Sequence, residues 1–224
     1  MTLSEGPSKH RRTFLFSFKK LLSFVWPVNI ERSGDLRLSF ENGELVVNKG
    51  RASYSYGNLL FAFQNAFQEV PLDWSQIKSV LFLGFGAGSV SKHILNTYAD
   101  TVKITGVDQD SQLLDWYERY FFDERIRTVH ADARAFVDES NDTYDLLIVD
   151  LFDELDVPAV FCEADFLRKL RDLLHPKGVL VFNFVVDNPK QKTNYEQLLL
   201  QLSELFHSVK VNEQMDINRI IFCK

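Results

Sequence analysis

Residues 79–89 read SVLFLGFGAGS: a short apolar run from Ser79 to Leu83 breaks at once into Gly84-Phe85-Gly86-Ala87-Gly88-Ser89. An apolar run that meets spaced glycines has the pattern of a buried parallel strand handing over to a tight turn and a helix. The pattern recurs downstream. Apolar runs stand at 79–83, 102–107, 126–130, 144–150 and 178–185, and helix-length stretches at 88–98, 110–121, 133–139 and 162–174 lie between them. Strands alternating with helices build right-handed βαβ units and a parallel sheet covered on both faces. A helix near 192–206 and closing strands near 208–213 and 217–223 complete an open, doubly wound, Rossmann-like α/β sheet of seven strands.

Upstream of residue 58 the pattern differs. Residues 9–26 (KHRRTFLFSFKKLLSFVW) place Phe14, Leu15, Phe18, Leu21, Leu22, Val25 and Trp26 on one helical face, with Lys19, Lys20 and Ser23 opposite. Pro27 is expected to end this helix. Lys19 and Lys20 interrupt the apolar run and no small-residue cleavage site follows, so the segment reads neither as a leader nor as a spanning helix. Two readings remain: a basic amphipathic helix on a membrane surface, and the favoured one, a helix packed on the core or on a second subunit. In residues 35–48, Leu36, Leu38 and Phe40 alternate with polar neighbours before Asn42-Gly43, the pattern of a small β-hairpin with a two-residue turn. Helical spacing follows at Leu59, Phe63, Ala66, Phe67 and Val70, closed by Pro71. The expected organisation is a helix-and-hairpin extension over 1–57 and a ligand-binding domain over 58–224.

Composition narrows the function. A chain of 224 residues, 46% hydrophobic and 25% charged with 20 Phe, folds around a sizeable core, which excludes disorder as its main state. Cys162 and Cys223 are too few for a disulfide scaffold or a four-thiolate metal site, and a reducing cytoplasm is the expected setting. The balance of 25 basic against 31 acidic residues gives −6, which argues against nucleic acid and favours a cationic partner. His10, His93, His130, His175 and His207 show no metal-ligand spacing. Neither a Walker motif nor a G-x-S-x-G elbow is present.

In an open α/β sheet, ligands bind at the carboxyl ends of the strands. Here those ends read Gly84-Phe85-Gly86-Ala87-Gly88, then Asp108, then Ala131-Asp132-Ala133, then Asp150-Leu151-Phe152-Asp153. The G-x-G-x-G run lacks the third glycine of a dinucleotide fingerprint, where Ser89 stands, so a nicotinamide or flavin is disfavoured. Gly88 and the helix N-terminus after it suit a carboxylate. Asp108 is placed to accept both hydroxyls of a ribose, and Asp132 to accept from an exocyclic amine such as that of adenine. Each feature has a plainer alternative: a tight turn for the glycines, and helix N-caps for Asp108 and Asp132. In order at successive strand ends, they describe a nucleoside site whose other end is small and carries no phosphates.

On these residues the chain resembles the class I S-adenosylmethionine-dependent methyltransferase fold, and within it the spermidine synthase family and its methyltransferase-like relatives, over roughly residues 35–185. The resemblance assigns the Gly-rich loop to Gly84–Ser89, the ribose ligand to Asp108, the adenine site to Asp132-Ala133 and the D-x-x-D loop to Asp150 and Asp153. Tyr54-Ser55-Tyr56-Gly57 stands for the family's upstream F-S-Y-Q. It implies that Asp153 receives or orients the attacking amine with Tyr56 assisting, and that Asp150 lies near the sulfonium. Asp153, Glu154 and Asp156 then read either as a cradle for a cationic acceptor or as a solvated loop, and Tyr56 as catalyst or packed aromatic.

Aminopropyl transfer uses decarboxylated S-adenosylmethionine, whose ammonium in this family is held by a loop aspartate. That position is Ala87, Gly57 replaces the glutamine, and the loop after Asp153 departs from the Pro-x-Gly-Pro-Ala type. Losing one partner of a buried charge pair costs about 2–5 kcal/mol. The expectation is therefore S-adenosylmethionine as cofactor and methyl transfer to a small-molecule acceptor of unknown identity, an amine among the candidates, as the reaction. The alternatives are an aminopropyltransferase using the decarboxylated cofactor and a non-catalytic interaction module on the same fold. A homodimer is expected by analogy.

Overall fold

The computed structural model describes residues 9–49, 52–55, 58–153, 156–213 and 217–224. The chain divides into two compact units, Met1–Tyr56 and Gly57–Lys224.

In the first unit, helix α1 (Lys9–Leu22) precedes strands β1 (Val28–Ser33), β2 (Leu36–Glu41), β3 (Glu44–Lys49) and β4 (Ala52–Ser55), paired antiparallel in that order. The expected hairpin is its centre: Asn42 and Gly43 both have positive φ, 49° and 81°, as a two-residue type I′ turn requires. Leu36, Leu38, Phe40, Val46 and Val47 are buried. The extension is thus a four-stranded meander rather than a hairpin. Its outer strands, VNIERS and ASYS, are weakly apolar and the second has only 4 residues, which hid them from a reading based on alternation. Helix α1 also stops at Leu22, well before Pro27. The Ser23 hydroxyl donates to the Lys20 carbonyl at 2.6 Å and accepts from Gly43 N at 2.9 Å, while Asn42 N donates to the Ser23 carbonyl at 3.1 Å. Tertiary hydrogen bonds to the hairpin turn therefore end the helix. Phe18, Leu21, Leu22, Val25 and Trp26 are exposed, so the packed alternative for this face is not met within its own unit.

The second unit opens with α2 (Asn58–Glu69). Strand β5 (Ser79–Leu83), α3 (Ser89–Thr97) and β6 (Lys103–Asp108) follow, then α4 (Ser111–Trp116) with a π-helical turn at Tyr117–Phe121. Next come β7 (Ile126–His130), α5 (Ala133–Glu139), β8 (Tyr144–Val149), a 3₁₀ turn (Ala159–Cys162) and α6 (Ala164–Asp172). The chain finishes with β9 (Leu174–Val185), α7 (Pro189–Leu205), β10 (Val209–Asn212) and β11 (Asn218–Cys223). Strand order is β10-β11-β9-β8-β5-β6-β7, with β5 to β9 parallel and β11 antiparallel to both its neighbours. This is the seven-stranded doubly wound sheet that the apolar runs predict.

Because successive strand residues point to opposite faces, the sheet buries two layers. Leu81, Leu83, Leu147, Val149, Leu180 and Phe182 join Phe166, Leu167 and Leu170 of α6 and Leu198 and Leu202 of α7 in one core. With the other parity, Phe82 meets Phe63 of α2, and Phe222 meets Phe67, each with ring centroids 6.3 Å apart. A fully buried side chain of this size contributes about 1.5–3 kcal/mol. Chain order reverses at β5, with β6 and β7 on one side and β8 and β9 on the other. The crevice outside the tips of β5 and β8 is therefore the topological switch point, where such sheets take ligands.

Candidate functional site at the carboxyl tips of the sheet

The glycine turn is built by backbone conformations that side chains disfavour. Gly84, Gly86 and Gly88 have φ of 81°, 58° and 76°. At Gly84 the space is also closed: a Cβ there would lie 2.0 Å from the Asp150 carbonyl oxygen. The turn is held from below by Gly84 N and Phe85 N, both donating to the Val107 carbonyl at 3.0 Å. Phe85 folds under it, edge-on to Tyr117 at 4.9 Å, and fills the volume that a side chain at Gly106 would need. Gly88 opens α3 without a side-chain cap, leaving its first amides to a ligand.

Asp108, at the tip of β6, grips this turn. Its Oδ2 accepts from Gly86 N at 2.7 Å and its Oδ1 from Asp110 N at 2.9 Å. It is not a helix cap; Asp110 caps α4, accepting from Gln112 N at 3.0 Å. A carboxylate offers about four lone-pair sites, the kind of capacity that accepting ribose hydroxyls draws on. Asp132 does cap α5, its Oδ1 accepting from Ala135 N at 2.9 Å. Its side chain is exposed and Ala133 behind it is buried. The cap uses one oxygen and leaves the other available.

Asp150 is the unusual group. Its backbone N donates to the Leu83 carbonyl at 2.9 Å, which places it beside the glycine turn. Its carboxyl is buried and receives Asn183 Nδ2 at 2.8 Å. Burial, opposed by that hydrogen bond and reinforced by the Asp108 charge, pushes it up from 3.8 to about 7. Asn218 Nδ2 donates to Asn183 Oδ1 at 3.0 Å, which turns the Asn183 amide so that its NH₂ faces Asp150. Sequence reasoning missed Asn183 and Asn218. The available signal was a lone polar residue inside the apolar run Val179–Val185.

Beyond Asp150 the chain reverses tightly: Asp153 N donates to the Asp156 carbonyl at 2.9 Å and Asp156 N to the Asp153 carbonyl at 3.0 Å. Asp153 is exposed. Asp156 Oδ1 accepts from Gln191 Nε2 at 2.6 Å, and Gln191 Oε1 accepts from Asp187 N at 2.7 Å, tying Asp156 to the first turn of α7. Tyr56, Gly57 and Glu154 lie outside the described residues. Among the described residues no three His, Cys, Asp or Glu side chains converge to hold a metal ion.

Relatives bear on the chemistry. A probable polyamine aminopropyl transferase of Bifidobacterium longum (strain NCC 2705) is 29% identical over 217 residues, covering 89% of this chain and 48% of its own length. A polyamine aminopropyltransferase of Lachnospira eligens is 30% identical over 156 residues, covering 66% of this chain and 54% of its own length. The chain spans about half the length of these curated relatives. Among solved structures, a probable spermidine synthase from Corynebacterium glutamicum matches with a TM-score of 0.65 at 21% identity, over 89% of this chain and 77% of that one. Human methyltransferase-like protein 13, in complex with SAH, matches at 0.60 and 23% identity, over 74% of this chain and 80% of that one. At such identities the likeness is of fold.

The preference for methyl transfer, drawn from Ala87, is corrected by these findings: the sequence relatives are named for aminopropyl transfer, and the methyltransferase likeness lies in the fold. Ala87 is 1% exposed, packed within the turn, so its identity answers to loop packing as well as to any ligand. The spermine/spermidine synthase domain matches residues 60–213 of the 224, and the chain belongs to that family.

Proposed function

We propose that the chain transfers an aminopropyl group from decarboxylated S-adenosylmethionine to a primary amine of an aliphatic diamine or polyamine. In this reading residues 58–224 hold both substrates and residues 1–57 form an extension. The observation that carries it is the pair of aspartates at the tip of β8, Asp150 buried beside the glycine turn with its carboxyl near 7, and Asp153 exposed three residues on.

The bound nucleoside supplies a carbon made electrophilic by its sulfonium and a neutral thioether as leaving group. The protein's part is placement and a proton acceptor. Gly84, Gly86 and Gly88 let the ligand approach the backbone, and Asp108 accepts from the ribose hydroxyls. Asp132 accepts from the adenine amine with the oxygen that its cap leaves over, and Ala133 leaves room for the base. Asp153 receives and orients the cationic acceptor, with Tyr56 assigned beside it by family resemblance. As the nitrogen–carbon bond forms and the carbon–sulfur bond breaks, Asp150 takes the proton from the attacking nitrogen. A carboxylate near 7 is well matched to that task at neutral pH. A homodimer and a cytoplasmic setting belong to the same reading by analogy of fold.

The test is to incubate the full chain with decarboxylated S-adenosylmethionine and 1,4-diaminobutane, following methylthioadenosine and the extended amine by mass spectrometry. Both products are expected, formed about 10²–10⁴-fold more slowly by Asp150→Asn. Binding of the nucleoside without either product would remove the transfer reaction.

A further inference from the structure

The first unit carries a bare apolar face on a cationic segment. Phe18, Leu21, Leu22, Phe24, Val25 and Trp26 are all exposed, Val25 and Trp26 at 75%. Single exposed apolar residues are ordinary; six within nine positions are not. The fold holds them there. Between the two groups Ser23 is buried and bonded to the hairpin turn through Gly43 N, and the Phe24 ring lies over Gly43, where a Cβ would meet it at 2.5 Å. Phe16 packs edge-on to Phe40 at 4.8 Å, anchoring α1 to the meander.

Charge selects what covers this face. From residue 6 to residue 30 the chain carries Lys9, Arg11, Arg12, Lys19 and Lys20 and no Asp or Glu, against a whole-chain charge of −6. We propose that residues 9–26 dock on an anionic lipid surface, drawn there by the segment's positive charge and lying in the interface with Phe18, Leu21, Leu22, Val25 and Trp26 toward the acyl boundary. No described helix is long and apolar enough to cross a membrane. A second copy fits less well. A two-fold contact would set this cationic segment against itself. Elsewhere among the described residues, the exposed large apolar side chains Phe61, Phe122, Val160 and Leu200 stand on separate elements and offer no matching patch.

The experiment uses the full chain and is independent of the transfer reaction. Sedimentation with vesicles of phosphatidylcholine and phosphatidylglycerol, in about a 7:3 ratio, is compared with pure phosphatidylcholine. At least ~10-fold tighter binding to the anionic vesicles is expected, weakened by salt. Trp26 emission should shift to the blue on binding, and Trp26→Phe should keep the sedimentation while losing most of the shift. Lys20→Glu and Leu21→Glu, both at exposed positions, should each reduce vesicle binding with an unchanged thermal melt. Equal binding to neutral vesicles, or none to either, overturns the proposal. So does a change in oligomeric mass by light scattering with Leu21→Glu, because the occupant is then a second copy.

Discussion

The two ends of β8 each carry an aspartate, and the molecule treats them oppositely. At the amino end, Asp145 Oδ2 accepts from Lys78 N at 2.8 Å, Ser79 N at 3.0 Å and Ser79 Oγ at 3.1 Å. Burial pushes its carboxyl up, but these donors outweigh burial and hold it below the ordinary value. At the carboxyl end, Asp150 is buried more deeply, receives one donor from Asn183 and faces the charge of Asp108, and rises to about 7. Depth of burial comes first, and the number of donors and the neighbouring charge complete the difference. A carboxylate wrapped in N–H groups joins strands together, whereas one short of donors beside a second carboxylate is left ready to take a proton.

The largest expected effect tests that contrast through pH. The folded Asp150 value lies above its ordinary 3.8, so between about pH 4 and pH 7 the folded state keeps a proton that the unfolded chain releases. This contribution is complete below about pH 4 and is lost as pH rises through 7, on the order of 4 kcal/mol. Asp145 has the opposite sign: its contribution is present above its unfolded value and is lost as pH falls through its lowered folded value. Urea unfolding across pH should show the falling limb in the parent and lose it in Asp150→Asn, and the same variant should lower kcat by about 10²–10⁴-fold.

Next in size is Gly84→Ala. A positive φ combined with a Cβ 2.0 Å from a backbone oxygen should cost about 3 kcal/mol or more, read by denaturant midpoint, with nucleoside binding lost alongside. Asp145→Ala should cost about 1–3 kcal/mol by stranding the Lys78 and Ser79 donors. It should leave nucleoside affinity unchanged in calorimetry; a fall would mean that the amino end of β8 is not merely structural. The smallest effect separates the two uses of Asp132. Alanine should cost about 1 kcal/mol through the lost cap. Asparagine, itself a good cap, should keep stability while lowering nucleoside affinity about tenfold.

Much of this was legible from short-range pattern. The strands of the main sheet follow from apolar runs, and Gly84, Asp108 and Asp150 from their places directly after them. What escaped reading depended on distant partners. The bond that ties Asp156 to Gln191 of α7 joins residues 35 positions apart. The outer strands β1 and β4 exist because β2 and β3 offer edges to pair with. Ser23, ordinary in sequence, ends α1 through bonds to a turn twenty residues away. Ala87 misled because one substitution in a turn was weighed as though it faced only the ligand.

By itself the sequence determined where the backbone extends, coils and turns, because apolar periodicity and glycine act within a few residues of where they stand. It also determined the order in which the sheet's tips present glycines and carboxylates. Only the tertiary structure decided what those carboxylates are. Asp145 and Asp150 are the same side chain five residues apart, and their difference is made by depth of burial, by the Lys78 and Ser79 donors at one end and by the Asp108 charge at the other. Protonation depends on the donors, charges and solvent within a few ångströms, and those neighbours are gathered by folding from remote parts of the chain.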